Sequence, residues 1–319
     1  MAKYKMILDL DTGIDDALAI AYALATPECD LIGIVGSYGN VLMEDGVQNS
    51  LNLLEMLGHP EVPVFPGLPH SSTTDSFAVL PISAQIHGQN GVGEVEIKKA
   101  NRKAEATSGV DFFIEAAHEY GQDLIIVPTG PLTNLAAAIK KDPEIVELIG
   151  NVTLMGGALT VPGNVSPVTE ANISQDPEAA NEVFRSNLNL TMIGLDVTTR
   201  TLLTTTETQQ WRNLDTVAGK AYADLTDYYI DAYKVTSPHL GGCALHDPLA
   251  VAAAVQPRLV ETIELNMKVD TQAPFAGRTI GDETRVNVPA LHTKAAVQVD
   301  KDRFVADFME KLTSLFAKN

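Results

Sequence analysis

Residues 6–17 read MILDLDTGIDDA, an apolar run that leads into four closely spaced aspartates. The apolar run at residues 5–10 predicts a buried β-strand, and the apolar spacing over residues 14–25 predicts a helix. Gly13 lies between them and tolerates the backbone angles of a sharp corner. The aspartates therefore lie where a strand turns into a helix. In open α/β sheets, ligands bind at this carboxyl end of the strands.

The acidic cluster consists of Asp9, Asp11, Asp15 and Asp16. Like charges this close raise one another's pKa unless a cation lies among them. Asp15 and Asp16 also suit an ordinary first helical turn, where the helix dipole favours acids. Asp9 and Asp11 at the strand end have no such explanation. Because dense carboxylate oxygens suit hard cations, the cluster predicts a Ca²⁺ or Mg²⁺ site rather than a zinc site.

Familiar acidic and glycine-rich motifs do not fit this corner. Counted from Asp9, the fifth and twelfth positions are Gly13 and Ile20, which excludes an EF-hand loop. A haloacid dehalogenase type of phosphotransferase would have Thr or Val where Gly13 stands. The glycine fingerprint of dinucleotide-binding folds is also absent after this strand.

The composition is that of an ordinary globular protein with 319 residues, 45% of them hydrophobic and 20% charged. A formal charge of −19 argues against nucleic acid or an anionic membrane as a partner. The two cysteines, Cys29 and Cys243, have no metal-binding spacing, which favours a reducing compartment. With no long apolar run and an early first strand, the sequence predicts a cytoplasmic location.

Strand-like and helix-like segments alternate along the chain, which predicts an α/β fold with a mostly parallel, Rossmann-like open sheet flanked by helices. Further strands are predicted at residues 30–37, 63–65, 124–127, 152–155 and 190–195. Further helices are predicted at residues 47–57, 112–119, 132–140, 177–184 and 303–316. Alternating segments at residues 263–269, 278–286 and 295–299 predict a small antiparallel β region near the C-terminus. We expect residues 1–319 to form one domain.

Two long connections, residues 67–106 and 156–175, interrupt this pattern. Connections of this length in a compact domain are usually functional or disordered, so either could close over a site. The second contains Asn164, Glu170 and Asn172, whose amide and carboxylate groups suit a ligand rich in hydroxyl groups.

Polar residues also follow other predicted strands, although each has an ordinary structural explanation. Asn40 is a common turn former, and Thr129 could cap a helix. Asp247 could be a helix N-cap with Pro248 at the first helical position. Singly, these residues do not predict a site.

Taken together, the motifs resemble those of the nucleoside hydrolases of the inosine–uridine-preferring type. The matching motifs follow the family's order: DLDTGIDDA (9–17), YGN (38–40), HG (87–88), PTGPLTN (128–134), MGG (155–157), GN (163–164), EAN (170–172), DPEAA (176–180) and HDP (246–248). The resemblance implies an N-ribohydrolase that converts a ribonucleoside and water into ribose and a free base. It also implies a tightly held Ca²⁺, a role in nucleoside salvage and a homodimer or homotetramer.

The resemblance implies a role for each site residue. The calcium ligands would be the side chains of Asp11, Asp16 and Asp247 and the backbone carbonyl of Thr129. Asp11 would also be the general base that activates the calcium-bound water, with Asp9 supporting the metal ligands from behind. The ribose hydroxyls would be held by Asp15, Asn40, Asn164, Glu170 and Asn172. His246 would protonate or hydrogen-bond the departing base, and His87 would lie near it in a mobile loop.

The sequence departs from the family pattern at two positions. Thr12 stands where proline is usual, and Ala171 stands where an aromatic residue is common, which puts ring contact with the substrate in doubt. Tyr228, Tyr229 and Tyr233 could face the base, although core packing explains their spacing equally well. A metal-dependent phosphohydrolase and a non-catalytic nucleoside- or ribose-binding protein remain the alternative functions.

Overall fold

The computed structural model describes residues 4–319 as a mixed α/β structure. The strands are β1 (Tyr4–Leu10), β2 (Cys29–Gly36), β3 (Val64–Pro66), β4 (Leu124–Pro128), β5 (Asn151–Met155), β6 (Leu190–Ile193), β7 (Leu202–Leu203), β8 (Cys243–Ala244), β9 (Val260–Leu265), β10 (Met267–Val269), β11 (Thr279–Gly281) and β12 (Thr293–Val299). The α-helices are α1 (Ile14–Ala25), α2 (Met43–Met56), α3 (Pro81–His87), α4 (Gly109–Tyr120), α5 (Thr133–Lys141), α6 (Ile145–Leu148), α7 (Ala171–Gln175), α8 (Pro177–Arg185), α9 (Leu195–Thr198), α10 (Thr205–Arg212), α11 (Val217–Thr236), α12 (His246–Val255) and α13 (Lys301–Phe316).

Eight strands form the main sheet, in the order β3-β2-β1-β4-β5-β6-β12-β9. All neighbouring pairs are parallel except β12 and β9. Strand β1 lies between β2 and β4, so the ends of these three strands meet at one edge of the sheet. The predicted fold class, a mostly parallel sheet flanked by helices, is confirmed.

The C-terminal strands differ from the prediction in how they pair. Strand β12 runs parallel to β6 inside the main sheet, and β9 closes the edge in the antiparallel direction. Within residues 278–286 only β11 is a strand, and it pairs with β10 in a separate two-stranded sheet. Side-chain alternation reports which face of a strand is buried but not which strand lies beside it, so it could not assign these partners.

The segment at residues 190–195 also differs, because strand β6 ends at Ile193 and α9 begins at Leu195. Gly194 ends the strand and precedes α9. The apolar run continues into the helix because Leu195 and Val197 are buried there too. A short buried run does not distinguish a strand from one turn of a buried helix.

The sheet separates two layers of apolar core. On β1, Met6 and Leu8 pack into one layer with α1, α11, α12 and α13, whereas Ile7 packs into the other with α4, α5 and α8. Successive side chains of a strand point to opposite faces, so a strand covered on both sides needs apolar residues at every position. This explains why Met6, Ile7 and Leu8 of β1 form a continuous apolar run before Asp9.

Both long connections contain helices. Residues 67–106 include α3, which ends at His87, and residues 156–175 include α7, which begins directly after Glu170. No helix between residues 4 and 319 is both long and apolar enough to cross a bilayer. That the chain forms one domain stays a prediction.

Candidate metal-binding and catalytic site

The corner between β1 and α1 directs acidic side chains towards one region. Gly13 precedes α1, and its N–H donates to Asp16 Oδ2 at 2.8 Å. Asp16 is therefore a helix-capping residue as well as a member of the acidic cluster. A Cβ at Gly13 would lie 2.6 Å from His87 Nδ1, so only glycine leaves room for that histidine.

Residues from two neighbouring strand ends hold the carboxylates of Asp11 and Asp16. The backbone N–H of Asn40 donates to Asp11 Oδ2 at 2.7 Å, and its side-chain amide donates to Asp16 Oδ2 at 3.4 Å. The Thr129 hydroxyl donates to Asp16 Oδ1 at 2.7 Å. The structure therefore brings Asn40 and Thr129 to the acidic corner, although 24 or more residues separate them from it in the sequence.

Asp9 lies behind this corner and is held by Asn134, which the sequence did not single out as a site residue. The Asn134 amide donates to Asp9 Oδ1 at 2.9 Å and to the carbonyl of Gly36 at 3.2 Å. Its oxygen accepts from Leu68 N–H at 2.7 Å. Asn134 thus ties together the ends of β1 and β2 and the segment after β3. Its position in the PTGPLTN motif was the only sequence signal for it.

Asp247, in the first turn of α12, approaches the corner from the other side. Carboxylate oxygens of Asp15, Asp16 and Asp247 all lie within 4.8 Å of one another, and all three residues are buried. Burial, reinforced by the neighbouring carboxylates, raises the pKa of Asp11 and of Asp247 well above the ordinary range. The same causes raise the pKa of Asp15 to about 7. The cluster therefore resists carrying its full negative charge unless a cation is present.

The described residues supply little positive charge to balance this cluster. Across residues 4–319, no lysine or arginine pairs with it, and the one basic side chain in contact is His87, whose Nδ1 lies 3.9 Å from Asp15 Oδ1. Three buried oxygens in this part of the chain have no hydrogen-bond partner: Asp9 Oδ2, Asp11 Oδ1 and Asp15 Oδ1. Buried charges are normally paired or bound to a metal. The donor set therefore fits a hard cation.

Glu170 is buried beside the same edge of the sheet and caps α7. Its Oε1 accepts from Asn172 N–H at 2.9 Å, and its Oε2 accepts from Gly157 N–H at 3.0 Å and Ile173 N–H at 3.2 Å. Burial raises the pKa of Glu170, and these hydrogen bonds oppose the rise. The carboxylate is thus oriented by backbone N–H groups from both ends of the connection at residues 156–175.

Asn172 and Asn164 lie on either side of Glu170 in different surroundings. The Asn172 amide donates to the Thr129 carbonyl at 2.7 Å and to the Met155 carbonyl at 3.2 Å, which links it to the acidic corner. Asn164 is exposed, and its oxygen accepts from Ala171 N–H at 2.9 Å. The structure therefore brings Asn172 into contact with a predicted calcium ligand, whereas Asn164 lies at the outer end of α7.

The two predicted histidines are buried on the opposite side of the corner. His87 Nδ1 accepts from Ile14 N–H at 3.1 Å, and burial lowers the pKa of His87 to about 3. His246 has a hydroxyl at each ring nitrogen: Tyr233 at 2.6 Å from Nε2 and Thr198 at 2.7 Å from Nδ1. Burial lowers the pKa of His246 to about 4. Both rings are therefore neutral at pH 7.

Two tyrosines of α11 complete this wall. The Tyr229 ring centroid lies 5.4 Å from that of His87, and the Tyr229 hydroxyl donates to Asp15 Oδ2 at 3.4 Å. Tyr233 stacks edge-on against Tyr229 with 4.9 Å between ring centroids. Their spacing of four residues, which puts both on one helix face, was the available signal. Thr198 had no such signal, because it lies in α9, a helix that the sequence did not predict.

The close approach of Gly39 to Asp11 leads to a stability prediction. Gly39 has a φ of +152°, and a Cβ there would lie 2.0 Å from Asp11 Oδ2. We expect Gly39→Ala to lower the free energy of unfolding by about 2–4 kcal/mol through backbone strain and overpacking, measured by urea unfolding. Gly121→Ala is the matched control, because Gly121 has a φ of +53° and nothing within 4 Å of the added Cβ. Equal losses in both variants would contradict a tight contact at Asp11.

Comparison with known sequences identifies a family and similar proteins. A family model described as inosine-uridine preferring nucleoside hydrolase matches residues 6–306. Uridine nucleosidase 1 of Arabidopsis thaliana is 37% identical over 88% of this chain and 82% of its own length. The pyrimidine-specific ribonucleoside hydrolase RihB of Escherichia coli strain SE11 is 34% identical over 95% of each chain.

Solved structures agree with this match. A purine-preferring ribonucleoside hydrolase from Gardnerella vaginalis superimposes with a TM-score of 0.98 and 61% identity, over 99% of this chain and 100% of that one. The plant nucleoside hydrolase PpNRh1 has a TM-score of 0.92 and 32% identity, over 98% of this chain and 99% of its own.

Proposed function

The chain belongs to the inosine-uridine preferring nucleoside hydrolase family, and we propose that it hydrolyses ribonucleosides to ribose and free base with a calcium ion held at the acidic corner. One observation carries the metal part of this proposal. The buried carboxylates of Asp15, Asp16 and Asp247 converge there, and no lysine or arginine among residues 4–319 pairs with them. Asp11 Oδ1 and Asp15 Oδ1 have no hydrogen-bond partner in the same part of the chain. These features support a cation site.

We assign the ion to the side chains of Asp11, Asp16 and Asp247 and to the carbonyl oxygen of Thr129. All are hard oxygen donors, which Ca²⁺ prefers. The Thr129 carbonyl already accepts from Asn172, and its second lone pair remains for a cation. Calcium, when bound, would orient the ribose hydroxyls and lower the pKa of a coordinated water.

Asp11 is the proposed general base. Its Oδ2 accepts from Asn40 N–H, which fixes the carboxylate, and its Oδ1 has no partner in the described chain and would take the proton of the attacking water. The bond between C1′ and the water oxygen forms as the bond between C1′ and the base nitrogen breaks, and its electron pair leaves with the base. Positive charge builds on the ribose, and nearby carboxylates stabilise it.

The ribose would be held between the corner and α7. Asp15 is buried at the corner and would accept from a hydroxyl group through its unpartnered Oδ1. Asn40 lies against the same corner, and Glu170 and Asn172 approach from α7. Asn164 would contact the ribose from the exposed end of this segment. Carboxylates accept hydrogen bonds and amides both donate and accept, which matches sugar hydroxyls.

His246 is the proposed partner of the departing base, with His87 nearby. Because burial lowers the pKa of His246 to about 4, a hydrogen bond from the neutral ring is the role that fits pH 7. Such a bond stabilises the negative charge on the base, which then takes a proton from water. This proton balances the one that Asp11 releases, so the net reaction consumes only water.

We further propose a preference for purine ribonucleosides. The purine-preferring hydrolase from Gardnerella vaginalis is 61% identical to this chain, whereas the uridine nucleosidase of Arabidopsis thaliana and the pyrimidine-specific RihB are 37% and 34% identical. A salvage role, a cytoplasmic location and a homodimer or homotetramer complete the proposal. The binding-protein and phosphohydrolase alternatives are not favoured by these relatives.

The proposal is tested by incubating the protein with inosine, adenosine, uridine and cytidine in the presence of calcium and measuring the reducing sugar that is released. We expect release from inosine at the highest kcat/KM. A higher kcat/KM for uridine or cytidine would overturn the purine preference and leave the reaction intact. No release from any nucleoside by calcium-loaded protein would favour the non-catalytic binding alternative.

A further inference from the structure

Helix α9 and the two-stranded sheet β7–β8 place Thr198 against His246. In this sheet Leu202 pairs with Ala244, and one step further on, the Leu245 N–H donates to the Thr201 carbonyl at 2.8 Å. The two segments run antiparallel. Thr198, shortly before the first strand, therefore lies near His246, shortly after the second. Thr198 is fully buried, and its hydroxyl lies 2.7 Å from His246 Nδ1.

The proton on His246 can be located by counting donors along a chain of hydroxyls. The Tyr229 hydroxyl donates to Asp15 Oδ2 at 3.4 Å, so its own proton is directed towards the carboxylate. The Tyr233 hydroxyl lies 3.5 Å from that of Tyr229. Because the proton of Tyr229 is used in the bond to Asp15, Tyr233 must be the donor in this second contact. Tyr233 then accepts at 2.6 Å from His246 Nε2, which must carry the proton.

The alternative tautomer leaves this chain incomplete. With the proton on Nδ1, Tyr233 would donate to Nε2 while Tyr229 donates to Asp15. No proton would then remain for the contact between the two tyrosine hydroxyls. With the proton on Nε2, every contact from His246 to Asp15 has one donor. Nδ1 then needs a donor of its own, and the hydroxyl of Thr198 is in place to supply it.

We infer that Thr198 is a positioning residue that donates to Nδ1 and holds His246 in the Nε2–H tautomer, with its N–H on the side of Tyr233 and Asp15. This inference rests on the proposed function, in which His246 stabilises the departing base. A second hydrogen bond to a histidine ring fixes both its orientation and its tautomer. Thr198 therefore determines whether Nε2 of His246 is a donor or an acceptor on the side of Tyr233.

The test uses two substrates that differ in how much help the leaving group needs. Inosine releases a basic purine anion, whereas 4-nitrophenyl β-D-ribofuranoside releases a phenolate that is stable without a hydrogen bond. We expect Thr198→Val, which keeps the shape and removes the hydroxyl, to lower kcat for inosine by about 10- to 100-fold. The kcat for the nitrophenyl substrate should change by less than about 3-fold, because that reaction does not need the leaving-group donor.

Two further variants serve as controls. Thr198→Ser retains the hydroxyl and is expected to restore most of the inosine activity. Thr226→Val removes another fully buried threonine hydroxyl, one that has no hydrogen-bond partner among the described residues, and is expected to leave both substrates unaffected. If Thr198→Val loses activity on both substrates, or if Thr198→Ser does not restore the inosine activity, the defect is one of general packing and the inference is overturned.

A readout without substrate comes from ¹⁵N NMR of the histidine rings, which distinguishes the two tautomers. We expect the His246 signals, assigned with His246→Ala, to report Nε2–H in the unchanged protein and a mixture in Thr198→Val. An Nδ1–H form in the unchanged protein would overturn the inference. His246→Ala on the same substrate pair separates the two proposals: if it selectively lowers inosine hydrolysis and Thr198→Val does not, the positioning role fails and the function of His246 stands.

Discussion

Asp11→Asn is expected to lower kcat for ribonucleoside hydrolysis by at least about 100-fold, the scale on which general bases contribute. The replacement preserves shape, and its amide oxygen can still accept from Asn40 N–H as Asp11 Oδ2 does at 2.7 Å. It cannot take a proton from water, and it contributes no negative charge to a bound cation. The measurement is kcat and KM for the best nucleoside at saturating calcium.

Asp45→Asn is the matched control for this variant. Asp45 is exposed in the first turn of α2, so the same chemical change there should leave kcat unaffected. In the absence of metal, Asp11→Asn is expected to fold at least as stably as the unchanged protein. It removes one member of a buried group of like charges, in which burial and then repulsion from Asp16 raise the pKa of Asp11. A folded Asp11→Asn protein with undiminished kcat would remove Asp11 from the mechanism.

Removal of calcium with EGTA is expected to abolish turnover and to destabilise the protein, and added calcium is expected to restore both. A ligand that binds only the folded state at about 1,000 times its dissociation constant adds about 4 kcal/mol to the free energy of unfolding. Here the addition would come from neutralising buried carboxylates that otherwise repel one another. Activity and urea unfolding, each with and without calcium, measure the two effects.

The chelated protein is also expected to lose stability as the pH rises from about 4 to about 8. Burial raises the pKa of Asp9 to about 8 and of Asp15 to about 7, whereas an unfolded chain releases these protons near pH ~4. Between these values the folded state holds protons that the unfolded state has lost, so deprotonation favours unfolding. Calcium should reduce this slope, because a cation bound beside these carboxylates favours their ionised form and lowers their pKa.

Two outcomes would contradict the metal proposal. Full activity in protein shown by elemental analysis to contain no divalent metal would exclude a requirement for calcium and leave the hydrolase assignment in place. A free energy of unfolding that rises with pH in the chelated protein would show that the carboxylates are not held at raised pKa values. Chelation of Asp11→Asn is the internal control, since a weakened site should show a smaller calcium-dependent change.

Local patterns in the sequence were sufficient for the first corner of the site. Residues 6–17 predicted a strand, a turn at Gly13 and a helix, and the structure has β1, Gly13 and α1 at these places. The βα alternation predicted the mostly parallel sheet. These predictions succeed because a buried strand and an amphipathic helix each depend on the spacing of apolar residues within a few turns of chain.

Predictions that needed a distant partner were less complete. Residues 295–299 were predicted to lie in a small antiparallel β region; β12 does pair antiparallel with β9, but it also extends the main sheet beside β6. Residues 190–195 were predicted to be one strand, although Gly194 separates strand β6 from helix α9 within this segment. Glu170 was assigned to the ribose, and its carboxylate also caps α7 through backbone N–H groups. In each case the outcome depends on packing between elements. The spacing of apolar residues within one segment does not encode that packing.

The sequence alone determined the α/β fold class, the acidic corner and the resemblance to a nucleoside hydrolase, because these depend on residue type and short-range spacing. Only the tertiary structure decided that Asn134 holds Asp9 and that Thr198 and Tyr233 hold the two nitrogens of His246. Those contacts join segments 13 to 125 residues apart. Their existence depends on strand order and register, which are set by the packing of the whole chain.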